Sequence, residues 1–179
     1  RRLPAAIGGS LDAVFTLRSI ADIDRMAAEF QAGRKLLIVG GGYIGLEAAA
    51  VARQLGLEVT LLEMAERILQ RVAAEATSDY FRALHQQHGV EVRESTQLAR
   101  LLEKDGKLCG AELESGEVID ADLALVGIGG SANIELAQTA GLDCDNGIRV
   151  NEVCQTSDPD IYAAGDCCCF ERKGQTIRL

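Results

Sequence analysis

No apolar run in this chain approaches the about 18 residues that a bilayer span needs; the longest stretches, such as 36–39 and 48–52, fall far short. A transmembrane helix is therefore excluded. Positive charge is scarce as well. Lys and Arg number 18 against 27 Asp and Glu, a formal net charge of −9, which argues against a nonspecific nucleic-acid or anionic-membrane surface. Small molecules, or a protein with a basic patch, are the expected partners. The six cysteines, Cys109, Cys144, Cys154 and the run Cys167-Cys168-Cys169, contain no Cys-x-x-Cys pair and no zinc-type spacing, so a reducing, cytoplasmic setting is expected and no metal site is assigned. Three successive cysteines cannot readily present three thiolates tetrahedrally to one ion, and they read as small apolar packing residues. The chain opens Arg1-Arg2-Leu3-Pro4, with neither Met nor the apolar core of a secretory signal, and is expected to be a piece of a longer protein.

What is present is enough for a folded protein. With 179 residues, 47% of them hydrophobic and 25% charged, the chain can bury one sizeable core and part of a second. Residues 20–30 place Ile20, Ile23, Met26, Ala27 and Phe30 at helical spacing opposite Asp22, Asp24 and Arg25, which predicts an amphipathic helix. The run 35–39 is unbroken and apolar, as suits a strand buried on both faces of a parallel sheet. It stops in three glycines and passes at once into a helical pattern over 43–55, and 58–63 reads as the next strand. The order strand, helix, strand defines a βαβ unit.

A third helix is expected over 73–87, then a parallel strand at 90–92. Between 96 and 119 short alternating runs break at Asp105-Gly106 and Ser115-Gly116, which predicts a three-stranded antiparallel meander. The parallel sheet resumes at 123–126. From Gly130 the character changes: a short helix near 134–139, loops rich in Asp, Asn and Gly, and small strands at 148–150 and 161–163. His85 and His88, three apart on one helix, read as exposed polar residues rather than a metal pair.

Gly40-Gly41-Gly42-Tyr43-Ile44-Gly45 contains G-x-G-x-x-G between a buried strand and a helix, and an acid, Glu63, ends the second strand 18 residues after Gly45. That context is the dinucleotide fingerprint. Gly40 permits the tight turn, Gly42 lets the backbone approach a pyrophosphate, Gly45 allows close helix-to-strand packing, and the helix N-terminus supplies N–H groups to the phosphates. A carboxylate at Glu63 accepts hydrogen bonds from both adenosine ribose hydroxyls, whereas a 2′-phosphate would bring about −1.5 to −2 charges against it. Two unit charges about 4 Å apart repel by about 4 kcal/mol at an effective dielectric of about 20. NAD is therefore expected over NADP. Met64 offers no phosphate clamp; Arg67 reads either as one or as a solvated charge.

Three strings carry a resemblance: Leu37-Ile38-Val39-Gly40-Gly41-Gly42-Tyr43-Ile44-Gly45-Leu46-Glu47, Val59-Thr60-Leu61-Leu62-Glu63, and Thr156-Ser157-Asp158-Pro159-Asp160-Ile161-Tyr162-Ala163-Ala164-Gly165-Asp166. Together they resemble the two-dinucleotide flavoprotein reductases, and among these the NADH-dependent ferredoxin and rubredoxin reductases. Val14 to Arg18 with Asp22, the Gly127-Ile128-Gly129 turn followed by Asn133-Ile134-Glu135-Leu136, and Gln175-Thr176-Ile177-Arg178-Leu179 are similar to the same subgroup. One departure is Ala132, where the family usually has Pro shortly before the matching Asn.

The resemblance implies an α/β fold: a Rossmann-like parallel sheet with flanking helices, an antiparallel β-meander and a small irregular C-terminal segment. It implies that residues 1–129 are an NAD(H)-binding domain and 130–179 the second stretch of an incomplete FAD-binding domain, the first stretch and the interface domain having no counterpart here. It implies an enzyme of which this piece alone is inactive, with NADH and FAD as cofactors and an iron–sulfur carrier of ferredoxin or rubredoxin type as partner. The flavoprotein part of a nitrite reductase, an NADH oxidase, and a nucleotide-binding module without turnover stand as alternatives. By the same resemblance Glu47 holds the nicotinamide carboxamide, Gly127, Ile128 and Gly129 lie on the nicotinamide side, and Gly165-Asp166 meets the flavin ribityl chain. Read without it, Glu47 is an acid in the first turn of a helix and Asp166 an N-cap before a short one. Hydride transfer from nicotinamide C4 to flavin N5 needs no protein acid or base, so no catalytic residue is assigned.

Overall fold

A computed structural model describes residues 3–178; Arg1 and Arg2 of the opening, and Leu179 of the string that ends the chain, lie outside the described residues. The chain divides into two units, 1–129 and 130–179. In the first, five strands pair in parallel: β1 (Val14–Phe15), β2 (Lys35–Val39), β3 (Glu58–Leu62), β4 (Val90–Arg93) and, later in the chain, β8 (Leu123–Val126). Their order is β1-β8-β2-β3-β4, and Leu36 pairs with Val59 on one side and Leu123 on the other.

The alternation of side chains along a strand explains why β2 and β8 read as unbroken apolar runs. Leu36 and Ile38 of β2, with Val59, Leu61, Leu123 and Leu125, build one buried cluster. Leu37 and Val39, with Leu62 and Ala124, build a second. Helix α2 (Tyr43–Gln54) contributes Leu46, Ala48, Ala49 and Ala52 to the first cluster, its small residues bringing the helix close to the sheet. Over the second cluster lies the expected meander, β5 (Leu98–Lys104), β6 (Lys107–Leu113) and β7 (Val118–Asp120), through Leu101, Leu108, Ala111 and Leu113.

Helix α1 (Ile20–Ala27) is shorter than its apolar pattern suggested and buries only one end of it. Met26 is in the core and Phe30 packs beyond the helix, while Ile20 and Ile23 are 80% and 42% exposed. Its start is fixed locally: the Asp22 carboxylate accepts the Ser19 backbone N–H at 2.9 Å and the Ser19 hydroxyl at 2.9 Å. Those bonds, with Arg25, hold the Asp22 carboxyl down at about 2.

Helix α3 (Glu75–Gln87) corrects the reading of its histidines. His88 is exposed, but His85 is buried, its Nε2 lying 3.0 Å from the Leu46 carbonyl of α2. Two turns earlier on the same helix Ser78, fully buried, donates to the Ile68 carbonyl at 2.6 Å. Among the described residues no group of three or more His, Cys, Asp or Glu side chains is placed to hold a metal, and no helix is long and apolar enough to cross a membrane.

The second unit has more regular structure than its loop-rich composition suggested. It contains α4 (Glu135–Thr139) and a mixed sheet of β9 (Ile148–Val150), β10 (Cys168–Arg172) and β11 (Gln175–Arg178) in the order β11-β10-β9. The expected strand at 161–163 is only a bridge between Gln155 and Tyr162. The bridge is made by Thr156 N–H to Ile161 O and Ala163 N–H to Cys154 O, each at 3.0 Å, and it goes no further because the Ile161 N–H is taken by a local turn to Asp158 O at 3.1 Å. The hairpin β10–β11 turns at Lys173-Gly174, both with positive φ (50° and 75°), a two-residue loop whose twist suits the flanking strands.

Ile38 is fully buried between α2 and the neighbouring strands. Ile38→Ala should lower unfolding stability by about 2–5 kcal/mol in urea denaturation. A loss below about 1 kcal/mol would mean that the helix-side core is not packed as described.

Candidate functional site

The strands β2, β3 and β8 end side by side, and their ends are tied together. Gly40 N–H donates to Leu62 O at 2.8 Å, and Gly127 N–H donates to Val39 O at 2.8 Å. Because β3 and β8 flank β2 on opposite sides, this is where the chain order reverses, the place where open α/β sheets form a binding crevice. Gly40 has φ +115°, and a Cβ there would lie 2.5 Å from Gly127 O. A Cβ on Gly45 would lie 2.1 Å from Gly40 O, so α2 can approach β2 this closely only without a side chain at that position. On Gly41 it would meet Ile68 Cγ2 at 2.7 Å.

Gly42 differs from these three. Its φ of −83° is open to any residue, and a Cβ built there meets nothing within 4 Å. The protein itself does not require glycine at 42; a group brought close to the backbone from outside would. Gly42 is the N-cap of α2 and offers no side-chain cap. The first-turn N–H groups, from Tyr43 onward, therefore have the positive end of the helix to present to an anion. Tyr43 and Ile44 are exposed at this end.

Glu63 stands directly after β3. Its Oε2 accepts the Gly41 N–H at 2.7 Å and its Oε1 the Ala65 N–H at 2.8 Å, which fixes a half-buried carboxylate against the glycine loop. Glu47 is exposed and lies just past the first turn of α2, which holds no acid. The macrodipole fades within that turn, so helix energetics explain Glu47 less well than its sequence position suggested. Gly127 and Ile128 are half-buried and Gly129, at φ +92°, is exposed, all directly after β8.

Arg67 is committed to the protein. Its Nη1 donates to Ser78 Oγ at 2.6 Å and its Nη2 to Gln70 O at 3.3 Å. The guanidinium that does reach the crevice is Arg71, whose Nη2 is 3.9 Å from a Cβ built on Gly129. Sequence reasoning missed it, for a cation in the loop between β3 and α3 has no spacing signal of its own. It missed Glu94 too, which orders that loop by accepting Ile68 N–H at 2.8 Å and Arg82 Nε at 2.7 Å.

Gly165 and Asp166 belong to the second unit. Gly165 has φ +85° with open space where a Cβ would stand, and Asp166 is exposed in a turn closed by Cys168 N–H to Gly165 O at 3.0 Å. A strand, β10, follows rather than a helix, so the N-cap reading of Asp166 is set aside.

The glycines separate packing from ligand approach. Gly42→Ala should change stability by no more than about 1 kcal/mol, the poorer N-cap opposing the gain from a stiffer unfolded chain, whereas Gly45→Ala should cost about 1–3 kcal/mol or more through overpacking against Gly40 O. Thermal unfolding of the two variants compares them directly; a Gly42→Ala variant as destabilised as Gly45→Ala would overturn the distinction.

The chain is similar to known reductases over nearly its whole length. Rhodocoxin reductase of Rhodococcus erythropolis is 40% identical over 180 residues, covering 99% of this chain and 42% of the relative. Putidaredoxin reductase of Pseudomonas putida is 42% identical over 174 residues, covering 95% of this chain and 41% of the relative. The chain thus spans about two fifths of the length of these curated relatives. The crystal structure of the covalent putidaredoxin reductase–putidaredoxin complex superposes with a TM-score of 0.91 at 38% identity, over 100% of this chain and 45% of that one. The sequence profile of the pyridine nucleotide-disulphide oxidoreductases matches residues 1–178, and with the glycine loop, the acid after β3 and the shared fold in place, the chain belongs to that family.

Proposed function

We propose that residues 1–129 are the NAD(H)-binding domain, and 130–179 the second stretch of the FAD-binding domain, of a flavoprotein oxidoreductase that passes electrons from NADH through FAD to a ferredoxin- or rubredoxin-type carrier. The observation that carries the nucleotide reading is the pairing of Glu63 with the glycine loop. Two backbone N–H groups orient the carboxylate and leave it further lone pairs for the ribose hydroxyls. Gly40, Gly41, Gly42, Tyr43, Ile44 and Gly45 give the pyrophosphate a bare backbone and a helix N-terminus. Arg67, bound to Ser78 and Gln70, is withdrawn as a 2′-phosphate clamp.

The space in front of Gly42 and the position of Glu63 fit NADH, and the open, exposed Gly165-Asp166 turn fits a polar chain such as ribityl. Bound FAD supplies the exchange between a two-electron donor and a one-electron acceptor. The chain's own residues orient: Glu47 takes the carboxamide, Gly127, Ile128 and Gly129 line the nicotinamide side, and Asp166 accepts from the ribityl hydroxyls. No protein acid or base is required. Relatives named as rhodocoxin and putidaredoxin reductases favour a small iron–sulfur carrier over nitrite or oxygen as acceptor. The six free cysteines favour the cytoplasm.

Titration calorimetry should show NADH bound at least about tenfold more tightly than NADPH, a difference of about 1.4 kcal/mol, and Glu63→Gln should narrow that gap. Equal affinities for the parent would remove Glu63 from its role. Glu47→Gln should bind ADP-ribose as the parent does, because that ligand lacks the nicotinamide, and in the complete flavoprotein it should slow flavin reduction by NADH in stopped flow. An unchanged reduction rate would leave Glu47 as a surface acid.

A further inference from the structure

The run Cys167-Cys168-Cys169 directly follows Asp166, and its three thiols, all free, have no role assigned in the nucleotide site. In a strand, successive side chains point to opposite faces, which keeps neighbouring sulfurs apart. Cys168 and Cys169 lie in β10 and obey that alternation. Cys167 stands before the strand, in the turn closed by Cys168 N–H to Gly165 O, and there its Sγ comes to 3.8 Å from the Sγ of Cys168. The peptide joining the two is held in place. Cys167 O accepts the Ile148 N–H at 2.8 Å, and Gly147 packs so closely that a Cβ on it would lie 2.9 Å from both Cys167 O and Cys168 C. Cys167 is half-buried and reachable, while Cys168 is buried behind it.

Two sulfurs brought together on fixed backbone usually signal a disulfide, but these are sequence neighbours. Across a trans peptide their Cα atoms are about 3.8 Å apart, less than the about 4.4–6.8 Å that an ordinary disulfide spans. The pair is better suited to a centre that takes both sulfurs at once while leaving them unbonded to each other. We propose that Cys167 and Cys168 form a dithiol site for trivalent, thiophilic electrophiles of the arsenite type. With an organoarsenic(III) oxide the step balances without any oxidant: two S–H bonds break, two As–S bonds form, and the oxide oxygen leaves with both protons as water. Burial, and then its neighbour Cys167, pushes the Cys168 thiol up to about 11, so Cys168 is protonated at neutral pH and reacts second. Capture at Cys167 makes that second step intramolecular, where proximity offsets its weaker nucleophilicity.

The test is intact-mass spectrometry of the reduced chain after treatment with phenylarsine oxide and a wash with excess 2-mercaptoethanol, which strips arsenic held by one thiol only. The parent should retain one phenylarsenic group per chain, released by dithiothreitol. Cys167→Ser and Cys168→Ser should each lose the retained group completely, and Cys109→Ser should keep it. A parent stripped by the monothiol, or retention in both single variants, would overturn the proposal. Cys167→Ser, at the half-buried position, decides the matter if Cys168→Ser fails to fold.

Discussion

The approach of α2 to the end of β2 is the constraint on which the site depends. A helix can begin within van der Waals reach of the strand's last carbonyls only if the facing residue has no Cβ, and Gly45, whose Cβ would stand 2.1 Å from Gly40 O, supplies that absence. The close approach places the helix N-terminus over the crevice between β2, β3 and β8. It also sets Gly41 where its N–H meets Glu63, so the acid at the end of one strand is aligned by the loop at the end of another. His85 helps to hold the helix there from the far side, bridging α3 to the Leu46 carbonyl.

Burial on both faces of the parallel sheet gives this arrangement its rigidity. Helices cover Leu36 and Ile38, and the meander covers Leu37 and Val39, so β2 cannot shift by one residue without exchanging every side chain between two filled cores. The loop after β3 sets Ile68 and Leu69 into the helix-side core and is held besides by polar bonds: Glu94 with Ile68 N–H and Arg82, and Arg67 with Ser78. The glycine-loop side of the crevice rests on packing, and the rim beside Arg71 adds charge-assisted hydrogen bonds to it.

How much of this was legible in the sequence follows the same division. The βαβ unit, the meander with its Asp105-Gly106 turn, and the glycine loop were readable because period and turn chemistry are local properties. The burial of His85 was not, since its bond to Leu46 joins residues 39 apart. Arg67 and Arg71 share one loop, and only the position of Ser78 reveals which of them is occupied internally. The tail misled where local turns around Asp158 and Asp160 outweighed the β-propensity of Ile161 and Tyr162, and where the Lys173-Gly174 turn went unrecognised. The stub of α1 shows a further limit: periodicity marks an apolar stripe but not how much of it the fold covers.

On the proposed nucleotide reading, the four glycines of the loop answer to two different selective pressures. At positions 40, 41 and 45 any added carbon collides with the protein itself, at 2.5 Å, 2.7 Å and 2.1 Å, whereas at 42 it meets nothing within 4 Å. A lineage that kept this fold and abandoned its nucleotide would go on retaining the first three under selection for folding alone. Position 42 would be free to drift, and a side chain there, in an otherwise intact loop, would mark a descendant that has ceased to bind.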